Sequence, residues 1–310
     1  MQKYYNASLF EDAKFNPEQL CDGVFIYKNA LQKSQQVLDL IKILEHEDEK
    51  SLLTSGWGPW GPYGKTTYFY NDLKEGYIEN IFNSVFHDSQ LNNLNNYGLC
   101  RRTLFEIMIN SILTELNQKI IHDFLIKNNF KVPNNSFFAR IDLCKYDFQQ
   151  KTPLHEMEMP FHNDYVTADH HLSCDKFLVS CNTYFTSDYS GAEIVFYING
   201  KLVEYKPKAG DVLVFPSGNP NYVSNNYCLH AVKRGSGNRY ISRYFLKYCD
   251  DRDNLTKVQD LINNKDESVS KKYWEKRSYF GSVSLEEINK HMRGEISKFE
   301  FEKYYEGEIF

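Results

Sequence analysis

The sequence lacks the patterns that mark disulfide-rich, membrane-spanning and nucleic-acid-binding proteins. Its seven cysteines are scattered and contain no CxxC pair, so neither a disulfide framework nor a thiolate zinc site is expected. Unpaired thiols favour a reducing, cytoplasmic location. No stretch approaches the roughly 20 apolar residues that span a bilayer, and the first residues do not resemble a signal peptide. No basic tract accompanies the net charge of −5, so we expect neither a membrane nor a nucleic-acid partner.

What the sequence does contain is a helical pattern towards both ends of its 310 residues. Apolar residues recur with a helical period in 34–46 and 104–126, and the charged segments 255–264 and 284–294 are also helical in pattern. The Gly- and Pro-rich stretch 51–71 predicts a loop. Helices are therefore expected to flank the middle of the chain.

The middle of the chain changes to short apolar segments separated by turn residues. Asn199 and Gly200 form a two-residue hairpin signal, and KPKAGD predicts another turn. Many short strands with tight turns favour a β-sandwich or jelly roll, against which the helices would pack. The predicted strands are FFARIDLCKYD, MPFHNDYV, KFLVSCNTYFT, AEIVFYING, KLVEYKP, GDVLVFP, YCLHAVKR and NRYISRYFLKY.

We therefore predict a mainly β protein with flanking helices, built on a double-stranded β-helix, or jelly roll. Residues 1–135 are expected to form an N-terminal strand and helix support region, residues 136–248 the β core, and residues 249–310 a helical extension. All three are expected to belong to one compact domain. The sequence does not determine whether the extension supports the barrel, caps a site or contacts a second subunit.

Two side chains that can bind a metal stand two positions apart in a predicted strand. His162 and Asp164 would point to the same face, because alternate residues of a strand share a face. His230, in another predicted strand, would be the third donor. Two imidazoles and one carboxylate leave three positions open on an octahedral metal, as in non-haem Fe(II) oxygenases; zinc, which prefers tetrahedral sites, is the lesser candidate. The alternative is that these histidines are structural.

A basic side chain follows the third donor on the next predicted strand. After a GSGN turn, Arg239 could bind a dicarboxylate through its guanidinium. Alternation places Arg243 on the same face, deeper in the barrel. A buried Arg requires a partner. That partner is a co-substrate carboxylate, a substrate carboxylate, or an internal acid such as Asp142 or Glu193.

Four segments together resemble a known family. FHND, SGAEIVFY, KPKAGDVLVFP and LHAVKRGSGNRYISRYF are similar to the catalytic core of Fe(II)/2-oxoglutarate-dependent dioxygenases, in particular the prolyl-4-hydroxylase-like branch. The likeness covers residues 136–248. Residues 191–193 match a GGEL-like stretch, and residues 207–215 match the pattern P-x-x-G-x-x-x-x-F. Departures are Ala192 in place of the second Gly, a longer segment before FHND, and an extended polar loop at 217–227.

The resemblance implies a role for individual residues. His162, Asp164 and His230 would bind Fe(II), and Arg239 would bind the distal (C5) carboxylate of the co-substrate 2-oxoglutarate, with O2 as the other reactant. The remaining expected contacts are Tyr184, Tyr146 and Asn182 for the co-substrate, and Arg243, Arg140 and Asp142 for the substrate. The alternative for the two tyrosines is that they are ordinary core aromatics.

The implied activity is hydroxylation of an unactivated C–H bond with release of succinate and CO2. Arg243 favours a small carboxylate-bearing substrate, such as a free amino acid or a natural-product intermediate. The alternatives are peptidyl-proline hydroxylation of a protein, desaturation or cyclisation on the same core, and a non-catalytic jelly-roll binding module. Asp164 favours hydroxylation over halogenation, because halogenating relatives have a small residue there. The oligomeric state is not determined by the sequence.

Overall fold

The antiparallel strands of the described chain lie mainly in two large sheets, the jelly-roll arrangement that the sequence predicts. Three helices accompany these strands: α1 (Ser34–Lys50), α2 (Leu94–Lys127) and α3 (Leu285–Met292). The computed structural model describes residues 5–10, 15–50, 58–59, 65–68, 94–139, 141–148, 157–164, 175–217, 228–249, 279–299 and 302–305.

The described residues form seventeen strands. They are β1 (Glu18–Cys21), β2 (Val24–Tyr27), β3 (Gly58–Pro59), β4 (Lys65–Tyr68), β5 (Ser136–Phe138), β6 (Asp142–Asp147), β7 (Met157–His162), β8 (Asp175–Tyr184), β9 (Ser190–Gly191), β10 (Ile194–Ile198), β11 (Lys201–Tyr205), β12 (Val212–Pro216), β13 (Leu229–Lys233), β14 (Gly235–Ser236), β15 (Asn238–Cys249), β16 (Tyr279–Ser282) and β17 (Glu302–Tyr305).

The major sheet has the strand order β1-β2-β12-β8-β15-β6-β4-β3, with β5 also paired to β15. The minor sheet has the order β11-β10-β13-β7. The long strand β15 is central, because it pairs with β8 on one side and with β6 and β5 on the other. Side chains that alternate along β8 and β15 therefore have one set facing the minor sheet.

Apolar packing covers both faces of β12 in the major sheet, which explains why this strand is a continuous apolar run rather than an alternating one. In β12, Val212 and Val214 belong to a core cluster that includes residues of α1 and α2. Leu213 and Phe215, the residues between and after them, belong to a second cluster shared with the minor sheet. The space between the sheets is thus closed on one side by helix-backed strands.

The hairpin predicted at Asn199 and Gly200 is confirmed. Both residues have positive φ angles, 51° and 75°, as a type I′ turn requires, and they join β10 to β11 in unbroken antiparallel register. The turn predicted in KPKAGD is also present, with Gly210 at φ 91°.

Two stretches differ from the sequence prediction. The segment 51–71, predicted as a loop, contains β3 and β4, and β4 pairs with β6 at the edge of the major sheet. Pairing with a distant strand, which local turn signals do not report, decides this structure. The predicted strand FFARIDLCKYD is divided into β5 and β6, which pair with different parts of β15.

The C-terminal helix predicted in 284–294 is confirmed as α3. Ser284 and Glu287 form a reciprocal capping box at its start, and Ile288 is buried with Val195 and Tyr197 of the minor sheet. The described part of this region also contains β16 and β17, which pair in antiparallel orientation on either side of α3 in the sequence. The helix predicted in 255–264 lies outside the described residues. Within the described chain, none of the helices has the length and apolarity needed to cross a membrane.

Candidate metal centre

The two histidines predicted as metal ligands lie directly opposite each other on neighbouring strands. β7 and β13 pair in the minor sheet, and His162 and His230 are Cα partners in that pairing. Their ring centroids are 4.3 Å apart, and both side chains are buried. The sheet therefore brings together two residues that are far apart in the sequence.

Each imidazole is oriented by a backbone carbonyl two residues before it. Nδ1 of His162 donates to the carbonyl oxygen of Pro160 at 2.8 Å, and Nδ1 of His230 donates to that of Cys228 at 3.0 Å. With the proton on Nδ1, the Nε2 lone pair of each ring is available to a metal. Burial, and then the nearby His162, lowers the pKa of His230 to about 4, so this ring is neutral near pH 7.

The carboxylate of Asp164 completes the group, although not through strand geometry. β7 ends at His162, and Asp164 lies in the bend that follows, so the strand alternation assumed from the sequence does not extend to it. Its Oδ1 is nevertheless 3.6 Å from Nε2 of His162 and 3.9 Å from Nε2 of His230. One ligand atom from each of the three residues lies within 4.8 Å of the others.

The other oxygen of Asp164 is held from the major sheet. Oγ of Ser180, on β8, donates to Oδ2 at 2.5 Å, and Oγ of Ser217 lies 2.5 Å from Oγ of Ser180. Burial by itself would raise the pKa of Asp164, but His230, His162 and the Ser180 hydroxyl together hold that pKa well below the usual carboxylate range. The side chain is therefore an ionised, oriented carboxylate.

The three donors line a cavity between the two sheets. Arg239, Ile241 and Arg243 all line it, as the alternation along β15 predicts. The cavity thus joins the candidate metal centre to both arginines. The other lining residues are Tyr146, Met159, Asn182, Tyr184, Ile194 and Val232.

Arg239 is a buried cation surrounded by aromatic rings. Its side chain is 1% exposed, and its guanidinium carbon lies 4.0 Å from the ring centroid of Tyr146 and 5.8 to 5.9 Å from those of Phe148, Tyr184 and Tyr189. Nη1 donates to the backbone carbonyl oxygen of Ala192 at 2.7 Å. Among the described residues Nε has no hydrogen-bond partner and no acid pairs with this guanidinium. The cavity therefore contains positive charge that an anionic ligand would neutralise.

The carbonyl that accepts from Arg239 belongs to Ala192, in a tightly packed turn. Ala192 has a positive φ of 57°, and Gly191 before it has 64°. A Cβ on Gly191 would lie 2.4 Å from the carbonyl oxygen of Arg234, a distance that backbone atoms do not tolerate. The turn therefore requires Gly at 191, while the left-handed residue after it is Ala rather than the second Gly of the family pattern.

Replacing Gly191 by Ala is expected to lower the free energy of unfolding by about 2 to 4 kcal/mol, from left-handed strain plus overpacking. Gly200→Ala is the matched control, because φ is 75° there but nothing lies within 4 Å of the added Cβ. It should cost only about 1 to 2 kcal/mol. Urea denaturation measures both, and equal losses would contradict the role given to the Arg234 carbonyl.

Arg243 has the internal acid partner that the sequence left as one of three possibilities. Its Nη2 lies 3.2 Å from Oδ2 of Asp142, and the two residues are Cα partners between β15 and β6. Glu193, the other acid considered, has no ion pair with Arg243 among the described residues. The pair is largely buried, and Arg243 is the member that lines the cavity.

The remaining predicted residues fall into two groups. Tyr146, Tyr184 and Asn182 line the cavity, and Oδ1 of Asn182 is buried without a hydrogen-bond partner in the described chain. Burial raises the pKa of both tyrosines, so each hydroxyl stays neutral. Arg140 lies outside the described residues.

Sequence reasoning missed several residues of the site. Phe148 and Tyr189 complete the rings around Arg239, and Ser180 and Ser217 hold the Asp164 carboxylate. Ser180 could have been found, since it shares a face of β8 with the two predicted residues 182 and 184. No sequence signal identifies Ser217, because its contact with Ser180 depends on the pairing of β12 with β8.

Comparison with known proteins gives structural likenesses at low identity. No protein-family model matches the chain, and no curated protein matches it. A viral collagen prolyl hydroxylase from Paramecium bursaria Chlorella virus-1, solved with 2OG, matches with 14% identity and a TM-score of 0.42, over 75% of this chain and 100% of that one. A prolyl-4-hydroxylase from Pseudomonas putida matches with 13% identity and a TM-score of 0.39, over 73% and 92%.

A third structure is a 2OG-Fe(II) oxygenase family oxidoreductase from Burkholderia pseudomallei. It matches with 13% identity and a TM-score of 0.37, over 76% of this chain and 93% of that one. These solved structures are 2OG-Fe(II) oxygenases and prolyl hydroxylases by description. At such identities and TM-scores the function of this chain has to be inferred from its own side chains.

Proposed function

We propose that this protein is an Fe(II)- and 2-oxoglutarate-dependent dioxygenase that hydroxylates a small carboxylate-bearing molecule, such as a free amino acid. The observation that carries the proposal is that one cavity contains both a His–Asp–His donor group and a buried guanidinium without an acid partner in the described chain. A metal site alone fits many proteins. A dicarboxylate clamp beside it fits an enzyme that uses a dicarboxylate with the metal.

The donor set fits Fe(II). Two imidazoles and one carboxylate would occupy three positions and leave three open, whereas a structural zinc site is normally closed by four protein ligands. His162 and His230 would bind through Nε2, because Nδ1 of each donates to a backbone carbonyl. Asp164 would bind through Oδ1, which faces both rings.

The cavity also fits 2-oxoglutarate. Arg239 would hold the distal carboxylate, and its hydrogen bond to Ala192 fixes the guanidinium before the ligand arrives. Tyr146 and Tyr184 would form the walls, and Asn182 offers an Oδ1 atom that has no hydrogen-bond partner among the described residues. When bound, the metal and co-substrate supply the oxidation of a C–H bond by O2. The protein's residues position these groups and keep water away from them.

The substrate class is inferred from the second cation of the cavity. Arg243 is four residues beyond Arg239 on β15, which separates their Cα atoms by about 13 Å. Arg243 is paired with Asp142 at its own level of the sheet. The guanidinium of Arg243 lines the cavity and is complementary to a substrate carboxylate, which it would bind. A free amino acid has such a carboxylate, whereas an internal proline of a protein has none.

Replacing Arg243 by Met is expected to raise KM for the amino-acid substrate by about tenfold or more, the effect of losing a charge-assisted hydrogen bond. The affinity for 2-oxoglutarate should change little. Substrates would first be found by succinate release with free amino acids. Arg293→Met is the matched control, because it removes an exposed ion pair with Glu295 outside the cavity.

Other outcomes assign the pair differently. If Arg243→Met weakens 2-oxoglutarate binding instead, the guanidinium binds the C1 carboxylate of the co-substrate. If only proline-containing peptides release succinate, the small-substrate proposal is wrong and the activity is peptidyl-proline hydroxylation.

The whole proposal is tested by anaerobic titration. Purified protein with Fe(II) should develop a weak visible absorption band as 2-oxoglutarate is added, and His162→Ala should lack the band. Saturation of the band gives the co-substrate affinity. If the wild-type protein binds neither Fe(II) nor 2-oxoglutarate, the oxygenase proposal fails and the jelly roll is a binding module.

A further inference from the structure

The carboxylate of Asp164 is fixed by more than the two histidines. Asp164 lies beyond the end of β7, so its position does not follow from the sheet that carries His162 and His230. Its two oxygens have different surroundings, since Oδ1 faces both Nε2 atoms while Oδ2 accepts from Ser180 at 2.5 Å. The carboxylate therefore has one oxygen directed to the metal centre and the other turned to a hydroxyl.

The direction of this hydrogen-bond chain follows from its donors. An ionised carboxylate only accepts, and a serine hydroxyl has a single hydrogen to donate. Because Ser180 gives its hydrogen to Asp164, the 2.5 Å contact between the two serine hydroxyls must be donated by Ser217. Ser217 is itself anchored, because its N–H donates to the carbonyl oxygen of Leu178 at 2.9 Å. Both serines are essentially unexposed, at 0% and 1%.

We propose that Ser180, supported by Ser217, is a positioning residue that keeps Asp164 a one-oxygen ligand and so keeps a metal position open for O2. This inference rests on the proposed function. With Asp164 bound through one oxygen, three positions would remain. A chelating 2-oxoglutarate would take two of them and leave one. If both oxygens of Asp164 were free to bind, the carboxylate would fill that last position.

The effect of Ser180 can be separated from ordinary structural stabilisation by a ligand other than substrate. Nitric oxide, added anaerobically to the Fe(II) and 2-oxoglutarate complex, probes the remaining position without turnover. Loss of a merely structural hydrogen bond would lower thermal stability and all ligand affinities together. Release of Oδ2 would instead lower nitric oxide affinity selectively, because only the last position is blocked.

The experiment compares Ser180→Ala, Ser217→Ala and a control, Ser236→Ala. Ser236 and Ser190 form an exposed serine pair with the same 2.5 Å Oγ–Oγ distance, away from the metal centre. In Ser180→Ala we expect the 2-oxoglutarate band at wild-type concentrations and nitric oxide binding that is weaker by about tenfold or more. Ser217→Ala should shift nitric oxide binding in the same direction by less, and Ser236→Ala should match the wild type.

Two results overturn the inference. One is unchanged nitric oxide affinity in Ser180→Ala, and the other is a parallel fall of Fe(II), 2-oxoglutarate and nitric oxide affinity with thermal stability. If Ser180→Ala does not fold, Ser217→Ala decides, and wild-type nitric oxide affinity there also overturns it. A wild-type protein without the 2-oxoglutarate band refutes the proposed function instead, so the two failures are distinguishable.

Discussion

Replacing Arg239 by Gln is expected to weaken 2-oxoglutarate binding by about a hundredfold, with little change in Fe(II) affinity. Removing one partner of a buried, hydrogen-bonded charge pair costs about 2 to 5 kcal/mol. Arg239 is almost completely buried, and in the described chain no internal acid competes with the ligand for its guanidinium. Anaerobic titration of the Fe(II) protein with 2-oxoglutarate measures the change as a shift in the concentration that half-saturates the visible band.

The same variant should be at least as stable as the wild type without ligand. A buried charge that lacks a counter-ion costs free energy, and Gln can still donate to the carbonyl of Ala192. Thermal unfolding of the ligand-free protein checks this. Arg293→Gln, which alters an exposed arginine, should leave co-substrate affinity unchanged. If Arg239→Gln destabilised the protein and kept normal 2-oxoglutarate affinity, Arg239 would be a structural residue.

Replacing His230 by Gln is expected to abolish the visible band and any succinate release. Loss of an outer-shell partner of a metal site already costs about 10- to 100-fold in affinity or activity, and His230 would be one of three direct ligands. His230 pairs with His162 across β7 and β13. Apart from these two residues, no histidine of the described chain lines the cavity and could replace it. Fe(II) binding, followed by competition with a chelator, measures the loss directly.

His291→Gln is the matched control for a histidine substitution. His291 contacts Tyr197, a residue of the cluster that α3 forms with the minor sheet, and it does not line the cavity. This variant should retain both Fe(II) binding and the 2-oxoglutarate band. Persistence of iron-dependent succinate release in His230→Gln would show that His230 is not a ligand and would require a different metal site.

Much of the β core could be predicted from the sequence, because turn residues and strand alternation are properties of short segments. The NG turn at 199–200 fixes a hairpin through backbone conformation alone. Alternation along β15 places residues 239 and 243 on one face without any knowledge of the rest of the fold. His162 and His230 were predicted to serve one metal site, whereas the direct pairing of their strands is a finding of the structure.

Other features depend on which distant segments meet. Local turn signals predicted a loop over 51–71, yet β4 forms there because it pairs with the edge of β6. FFARIDLCKYD has the composition of one strand, yet it forms two strands, β5 and β6, that pair with different parts of β15. In both cases the free energy of strand pairing depends on a neighbour that is remote in sequence.

The sequence by itself determined the donor types, the two arginines on one face and the turns that bring strands back on one another, because residue type and strand period are local properties. Only the tertiary structure decided that Asp142 is the acid beside Arg243 and that Ser180 and Ser217 hold Asp164. The physical reason is that a hydrogen bond or ion pair requires atoms within about 3 Å. The packing of two sheets, and not spacing along the chain, sets those distances.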